Sequence, residues 1–179
     1  KGSEEMRVLV VVDMQNDFVD GSLGTKEAQA IIPKVKAKID EYDKTHDLIL
    51  YTQDTHNDKY TMTQEGRNLP VEHCVKETEG WEIVKDIPVK TVPYAKNTFG
   101  SVKLALDLAK DNEIFLIESV ELVGVCTGIC VLSNAVLIKS MLPEVPIIVD
   151  ASCCACVTPE SHKTALDAMK LLQIKVVNE

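Results

Sequence analysis

The sequence predicts an α/β fold in which a parallel sheet is covered by helices on both faces. Short apolar runs rich in β-branched residues recur along the chain, and such runs are typical of strands buried on both faces. Segments with apolar residues at helical spacing separate these runs. Strands that alternate with helices form parallel sheets, and the connecting helices cover the two faces.

The N-terminal half begins with the buried strand Arg7–Asp13. After a turn-rich loop, Thr25 can cap a helix that starts near Lys26. Pro33 fits the first turn of the main helical stretch, which runs to about Thr45. The next elements are the strand Asp47–Thr52, a long polar stretch over 53–80, and two short ambiguous segments, Trp81–Val84 and Val89–Val92.

The C-terminal half continues the alternation. Ser101 can cap a helix over 101–110, and Thr158 or Ser161 can cap the last helix, which runs to about Leu172. Ile114–Ile117 either extends the first of these helices or forms a short strand. The remaining expected elements are the strand Val120–Val125, the helix Gly128–Met141, and the strands Pro146–Asp150 and Ile174–Val177.

Composition argues against several classes of partner. The chain has 179 residues, of which 45% are hydrophobic and 26% charged, and this fits one domain with a substantial core. The net charge of −9 argues against nucleic acid or an anionic membrane as the main partner. No apolar run reaches the length of a membrane span, and no secretion signal is visible. We therefore expect a cytoplasmic protein.

The organisation expected from the sequence is one domain over residues 6–179. Residues 1–5 look like a cloning remnant or a flexible tail. The six cysteines lie inside apolar segments, so we expect reduced thiols rather than a disulfide framework. The run Cys153-Cys154-Ala155-Cys156 lacks the paired CxxC units of a zinc site, and we interpret its members as small packing residues, with a metal or redox role as the alternative.

Several polar or reactive side chains follow predicted strands, at the sheet edge where ligands of parallel sheets bind. They are Asp13, Gln53, Asp54, Cys126 and Asp150.

Cys130 is the candidate nucleophile. It follows a buried strand and a tight turn and stands at the start of the next helix, where the helix dipole is expected to lower the pKa of a thiol. Asp13 could serve as its base, and the ammonium group of Lys96, in a loop rich in turn-forming residues, would favour the thiolate. Taken singly, such residues are more often a packing thiol, a strand cap and a surface lysine.

A second constellation suits a metal ion. Asp54, His56, Glu65 and His73 fall within twenty residues of one another, and carboxylate with imidazole fits Zn, Fe or Mn. The alternative is that both histidines are ordinary loop residues.

Together these residues resemble the isochorismatase-like cysteine hydrolases, and within them the nicotinamidases. The resemblance covers about residues 6–177. It rests on VVVDMQNDF (10–18) with GSL (21–23), TQDTH (52–56), LPVEHC (69–74), KNTF (96–99) and GVCTGICV (124–131). It implies a three-layer sandwich with a mostly parallel six-stranded sheet, and hydrolysis of a small amide such as nicotinamide through a cysteine thioester.

The resemblance also implies roles for individual residues. The catalytic triad would be Asp13, Lys96 and Cys130. An oxyanion hole, preceded by a cis peptide bond, would use the N–H groups of Cys126 and Cys130. One divalent ion per chain, foremost Zn with Fe or Mn as alternatives, would be bound by Asp54, His56, His73 and, in some members, Glu65. The substrate would contact Phe18, Leu23 and Leu69, and a homo-oligomer is expected.

Three departures from the family pattern bear on the site. Gly128 stands where the family usually has Asp, which removes a helix-capping carboxylate. Leu69 stands where nicotinamidases often have an aromatic residue, and the segment from Pro70 to His73 looks one residue longer than usual. The last two affect the substrate pocket more than the reaction class.

Two other functions stay open. One is a hydrolase of the same family that acts on another small amide, a carbamoyl compound or isochorismate. Isochorismatases use no metal, so metal content separates that branch. The other is a non-catalytic flavodoxin-like domain that binds a partner or senses oxidants through its cysteines.

Overall fold

The computed structural model describes residues 5–179. Its centre is a parallel sheet, and the strands are β1 (Glu5–Val12), β2 (Leu48–Asp54), β3 (Tyr94–Lys96), β4 (Leu116–Val125), β5 (Ile147–Ala155) and β6 (Lys175–Val177). Their order across the sheet is β3-β2-β1-β4-β5-β6, and each neighbouring pair is parallel. The strand order reverses between β1 and β4, so a crevice is expected at their carboxyl ends.

Helices form the two outer layers. They are α1 (Asn16–Val19), α2 (Lys26–Lys44), α3 (Gln64–Asn68), α4 (Val102–Ile114), α5 (Leu132–Met141) and α6 (Pro159–Leu171). Short 3₁₀ turns cover Tyr60–Met62 and Glu79–Trp81, and a π-helical turn covers Thr127–Val131. Among residues 5–179, none of the helices combines the length and the apolar character that crossing a membrane requires.

The valine-rich strand β1 divides the core between the layers. Val8, Val10 and Val12 are fully buried on the face covered by α4, α5 and α6, whereas Leu9 and Val11 pack under α1 and α2. Side chains alternate across a strand, so a strand buried on both faces must be apolar at every position. The predicted three-layer α/β class with a six-stranded parallel sheet is therefore confirmed.

Some predicted boundaries were wrong. Helix α2 starts at Lys26 and continues through Pro33, which lies in its interior rather than in its first turn. Packing of the α2 face into the core offsets the hydrogen bond that proline cannot make. Lys96 ends the edge strand β3 instead of lying in a loop. Ile114 closes α4, and β4 begins two residues later. Of the predicted tail, residues 1–4 lie outside the described residues, and Glu5 already belongs to β1.

Strand β5 also extends farther than predicted. Its pairing with β4 jumps from Leu122 opposite Val149 to Gly124 opposite Cys154, so β5 contains a bulge. Asp150 therefore lies inside β5 and not beyond its carboxyl end. Its carboxylate accepts a hydrogen bond from Asn178 at 3.0 Å and forms an ion pair with Lys38 of α2 at 3.0 Å, away from the crevice.

Candidate active site

Three side chains from separate elements meet at the carboxyl ends of the strands. Asp13 follows β1 with a left-handed backbone (φ 49°), Lys96 ends β3, and Cys130 lies in the π-helical turn after β4. All three are buried, with relative exposures of 0%, 6% and 6%. The order of the strands, with β1 between β2 and β4, brings these ends together.

Lys96 contacts both of the other groups. Its Nζ donates to Asp13 Oδ2 at 2.8 Å and lies 3.7 Å from Cys130 Sγ. The same nitrogen donates to the Thr98 carbonyl at 3.0 Å. The second oxygen of Asp13 accepts a hydrogen bond from Thr52 Oγ1 at 2.7 Å. The carboxylate is thus held on both oxygens, and the ammonium group is held beside the thiol.

The pKa values of Asp13 and Cys130 are both shifted from their ordinary values. Burial raises the pKa of Asp13, and the attraction of Lys96 offsets this only in part. Burial and the Asp13 charge also raise the pKa of Cys130, so the expectation that the helix N-terminus would lower the pKa of this thiol was wrong. Cys130 therefore rests as a thiol, beside a carboxylate whose raised pKa suits it to accept a proton.

The turn that carries Cys130 is held by hydrogen bonds from the backbone and from side chains, including a 2.6 Å contact between Thr127 Oγ1 and His162 Nδ1. The peptide bond between Val125 and Cys126 is cis. The N–H groups of Ile129 and Val131 donate to the Cys126 carbonyl at 3.0 and 3.1 Å. Asn134 of α5 donates to the Cys130 carbonyl at 2.8 Å.

Gly124, just before this turn, allows β4 to approach β1 closely. Its φ is +118°, and a Cβ there would lie 2.2 Å from the Val12 carbonyl oxygen. Only glycine fits both conditions.

A candidate metal centre lies next to the triad. The ligand atoms of Asp54, His56 and His73 all lie within 4.8 Å of one another, and all three residues are buried. His56 Nε2 is 2.9 Å and His73 Nε2 is 3.4 Å from the same oxygen, Asp54 Oδ2. The other Asp54 oxygen is 3.8 Å from Lys96 Nζ, which links the two groups.

Contacts behind the ligands fix their orientation. The carbonyl of Val71 lies 2.8 Å from His73 Nδ1, which leaves Nε2 directed at Asp54. Gln15 binds the Asp54 backbone twice: its Nε2 donates to the carbonyl and its Oε1 accepts from the N–H, both at 2.8 Å. Such support holds metal ligands ready in the absence of the ion.

The donor set fits a divalent cation. Glu65 Oε2 is buried without a hydrogen-bond partner, although it lies only 3.3 Å from His56 Nε2. A buried carboxylate oxygen without a partner is costly, and a cation would satisfy it. Although burial alone would raise the pKa of Asp54, hydrogen bonds from His56 and His73 hold it well below its usual value. Two imidazoles with one or two carboxylates are typical ligands of Zn, Fe or Mn.

One cavity of about 570 Å³ connects the two groups. Cys130 lies on its wall together with Asp54, Glu65 and His73. The three predicted substrate contacts line the same cavity: Phe18, Leu23 and Leu69. The Phe18 ring lies 5.4 Å from the His73 ring, and Leu69 is 42% exposed at the rim.

Sequence reasoning missed several residues of this site. Tyr60 is buried against the rings of both His56 and His73, with centroids 4.8 and 4.9 Å away, and no motif indicated it. Gln15 and Thr52 stand inside two of the quoted motifs. Their closeness in sequence to Asp13 and Asp54 was the signal that could have identified them. Other lining residues that were not predicted are Phe99, Ile129, Cys156 and Val157.

This chain is similar in sequence to proteins that are already known. The nicotinamidase of Saccharomyces cerevisiae is 34% identical in a match that covers 46% of this chain and 50% of the yeast protein, so the chain spans about half of that relative. An uncharacterized isochorismatase family protein of Bacillus subtilis is 30% identical over 73% of this chain and 76% of its own length.

Solved structures show the same fold. The crystal structure of the pyrazinamidase of Pyrococcus horikoshii in complex with zinc superposes with a TM-score of 0.82 at 30% identity, covering 97% of this chain and 99% of the other. The family model described as the isochorismatase domain matches residues 7–178. The chain therefore belongs to the isochorismatase family of hydrolases.

Proposed function

We propose that this protein is a metal-containing cysteine amidohydrolase that converts nicotinamide and water to nicotinate and ammonia. The observation that carries the proposal is the shared cavity, whose wall contains Cys130 together with Asp54 and His73 of the candidate metal cluster. A carboxamide on a heterocycle needs both: a nucleophile for the amide carbon and a group that orients the ring. Nicotinamidase and pyrazinamidase relatives support this choice of substrate.

The first step follows from the contacts of Asp13. Its carboxylate takes the proton of Cys130 as the sulfur attacks the carboxamide carbon. Lys96, 2.8 Å from Asp13 and 3.7 Å from the sulfur, stabilises negative charge on whichever group carries it. The amide oxygen becomes an oxyanion, which we assign to the backbone N–H groups of Cys126 and Cys130. One such donor is typically worth about 3 kcal/mol in the transition state.

The remaining steps return the proton. Asp13 protonates the departing nitrogen, so ammonia leaves and an acyl thioester remains on Cys130. Asp13 then accepts a proton from the attacking water and passes it to the departing sulfur, so the acid is released and the free thiol and the carboxylate are restored. Its raised pKa suits both directions of transfer.

We assign Asp54, His56, His73 and Glu65 as the residues that hold one divalent ion, foremost zinc, with iron or manganese as alternatives. A bound ion would supply a Lewis-acid position for the ring nitrogen of the substrate. Phe18, Leu23 and Leu69 would pack against the ring. Holding the amide carbon near the sulfur can lower the activation free energy by several kcal/mol.

The cavity favours one second candidate within the same reaction class. It is lined mainly by apolar side chains, and Leu69 at its rim replaces a residue that is often aromatic. A small amide or carbamoyl compound other than nicotinamide would also fit these features. Membership of a hydrolase family weighs against the third alternative, a non-catalytic domain.

We further propose a cytoplasmic homo-oligomer of one domain over residues 6–179, acting in pyridine nucleotide salvage without nucleic-acid or membrane partners. Free cysteines throughout residues 5–179 fit a reducing compartment. The oligomer rests on the family resemblance, and light scattering of the purified protein tests it.

The function is tested by ammonia release from nicotinamide, with metal content measured on the same sample. Release with about one ion per chain supports the proposal. Metal without release on nicotinamide, but with release from other small amides, supports the second candidate. Neither metal nor release from any amide would refute both.

A further inference from the structure

The cavity contains two further thiols besides Cys130. Cys126 and Cys156 both line it. Strands β4 and β5 are paired up to Val125 and Ala155, so each cysteine is the residue that follows the last paired position of its strand. Each of the two thiols is the foremost influence on the pKa of the other, so their side chains are neighbours. Adjacent strands run about 4.8 Å apart, within the Cα separation that a disulfide tolerates.

The surroundings of Cys156 favour negative charge on its sulfur. The Ser161 hydroxyl and the backbone N–H groups of Gly128 and Val157 lie near it and help to lower its pKa. Gly128 lies beside this thiol: a Cβ there would be 3.7 Å from Cys156 Sγ, an ordinary contact, and 3.0 Å from Ala165 Cβ, a tight one. The glycine that replaces the usual Asp of the family thus lies against this thiol.

The other described cysteines differ from Cys156. The neighbouring Cys126 thiol, foremost, lowers the pKa of Cys156 to about 5, although burial opposes this. Burial raises the pKa of Cys74, Cys130 and Cys154 instead. Cys156 therefore combines thiolate character with access to a solvent-connected cavity, which are the two conditions for reaction with small oxidants.

We propose that Cys156 and Cys126 form an oxidation site for hydroperoxides, with Cys156 as the reacting thiolate and Cys126 as the resolving thiol. The Cys156 thiolate attacks one oxygen of hydrogen peroxide, the O–O bond breaks, and hydroxide leaves. The Cys126 sulfur then attacks the sulfenic acid, the S–S bond forms, and the hydroxyl group departs with the Cys126 proton as water. Two electrons from the thiols reduce one peroxide.

A link between Cys126 and Cys156 would alter the wall beside Cys130, because Cys126 supplies both the turn and an assigned oxyanion donor. Oxidation is therefore expected to lower amide hydrolysis, and a dithiol reductant to restore it. This consequence rests on the proposed function. The disulfide itself does not, because thiol counting and peptide mass need no substrate.

The test uses the full chain, reduced and then exposed to a small molar excess of hydrogen peroxide. The expected result is a loss of two free thiols per chain that dithiothreitol reverses. Non-reduced trypsin digestion should then give a linked pair of peptides, because Lys139 separates Cys126 from Cys156. Fragmentation assigns the link, and the wild-type chain suffices for this readout.

Variants sharpen the test. C156S should keep its thiols at the dose that removes two from the wild type, whereas the matched control C153S should still form the link. C130A should also form it, since the hydrolytic nucleophile takes no part. A disulfide that fragmentation places on Cys130 instead of Cys126, thiol loss at the wild-type rate in C156S, or wild-type protein that keeps all its thiols would each overturn the proposal.

Discussion

The hydrogen bond from Thr52 to Asp13 offers a sensitive test of the proposed base. Thr52 Oγ1 donates to Asp13 Oδ1 at 2.7 Å, and the two residues are 1% and 0% exposed. T52V keeps the side-chain shape and removes only the donor. A hydrogen bond to a charged group contributes about 1.5–3 kcal/mol, so the free energy of unfolding should fall by about that amount.

The same substitution should change the pH dependence of catalysis. Removing a donor from the carboxylate raises the pKa of Asp13, because the charged form loses stabilisation. The reaction needs the carboxylate as a base, so the acid limb of kcat/KM should move to higher pH. Ammonia release between pH 5 and 9 measures the limb, and urea unfolding at pH 7 measures the stability.

T91V is the matched control. Thr91 Oγ1 donates to a neutral acceptor, the Ile49 carbonyl, at 2.6 Å, away from the triad. The T91V protein should lose about 0.5–1.5 kcal/mol in its free energy of unfolding. The acid limb of its kcat/KM profile should stay at the wild-type pH. A destabilised T52V enzyme with an unmoved acid limb would show that Asp13 is not the base.

Three further predictions concern the nucleophile, the metal and the fold. C130A should lose ammonia release and keep its metal, and turnover near the wild-type rate, or loss of the ion, would contradict the assignment. H73A should contain less metal by elemental analysis than the control H162A, and equal metal in both would remove His73 from the site. Lys38, Ser152 and Asn178 hold the pKa of Asp150 below its ordinary value despite burial, so its stabilising effect is complete above that value and is lost as the pH falls through the lowered one. Urea unfolding should therefore show stability falling as the pH drops below about 4, less steeply in D150N; identical slopes in the two proteins would contradict this.

Much of the fold could be predicted because its central strands are continuous runs of apolar, β-branched residues. The run of valines in β1 is buried at every position, and only a central parallel strand requires this. The three residues of β3 carry no such pattern. Lys96 is buried there because Asp13 and Cys130 lie opposite, and these contacts do not appear in the local sequence. The bulge in β5 likewise depends on pairing with β4, so the strand looked complete at Asp150.

The candidate site was predictable wherever a motif sets the spacing. Asp54 and His56 come close because they flank the end of one strand, whereas His73 reaches them through a loop whose Cys74 N–H is held by Asp17 at 2.8 Å. Tyr60 was missed because its contact with both imidazoles depends on that loop. The low pKa of Cys156 was missed for the same reason, since its partners come from three separate elements.

One measurement tests the central claim most directly. Protein mixed with nicotinamide is quenched in acid, digested and analysed by mass spectrometry, with C130A as control. The account predicts a nicotinoyl thioester on the Cys130 peptide of the wild type and neither acyl group nor ammonia in C130A. An acyl group on Cys126 or Cys156, or steady ammonia release by C130A, would contradict it.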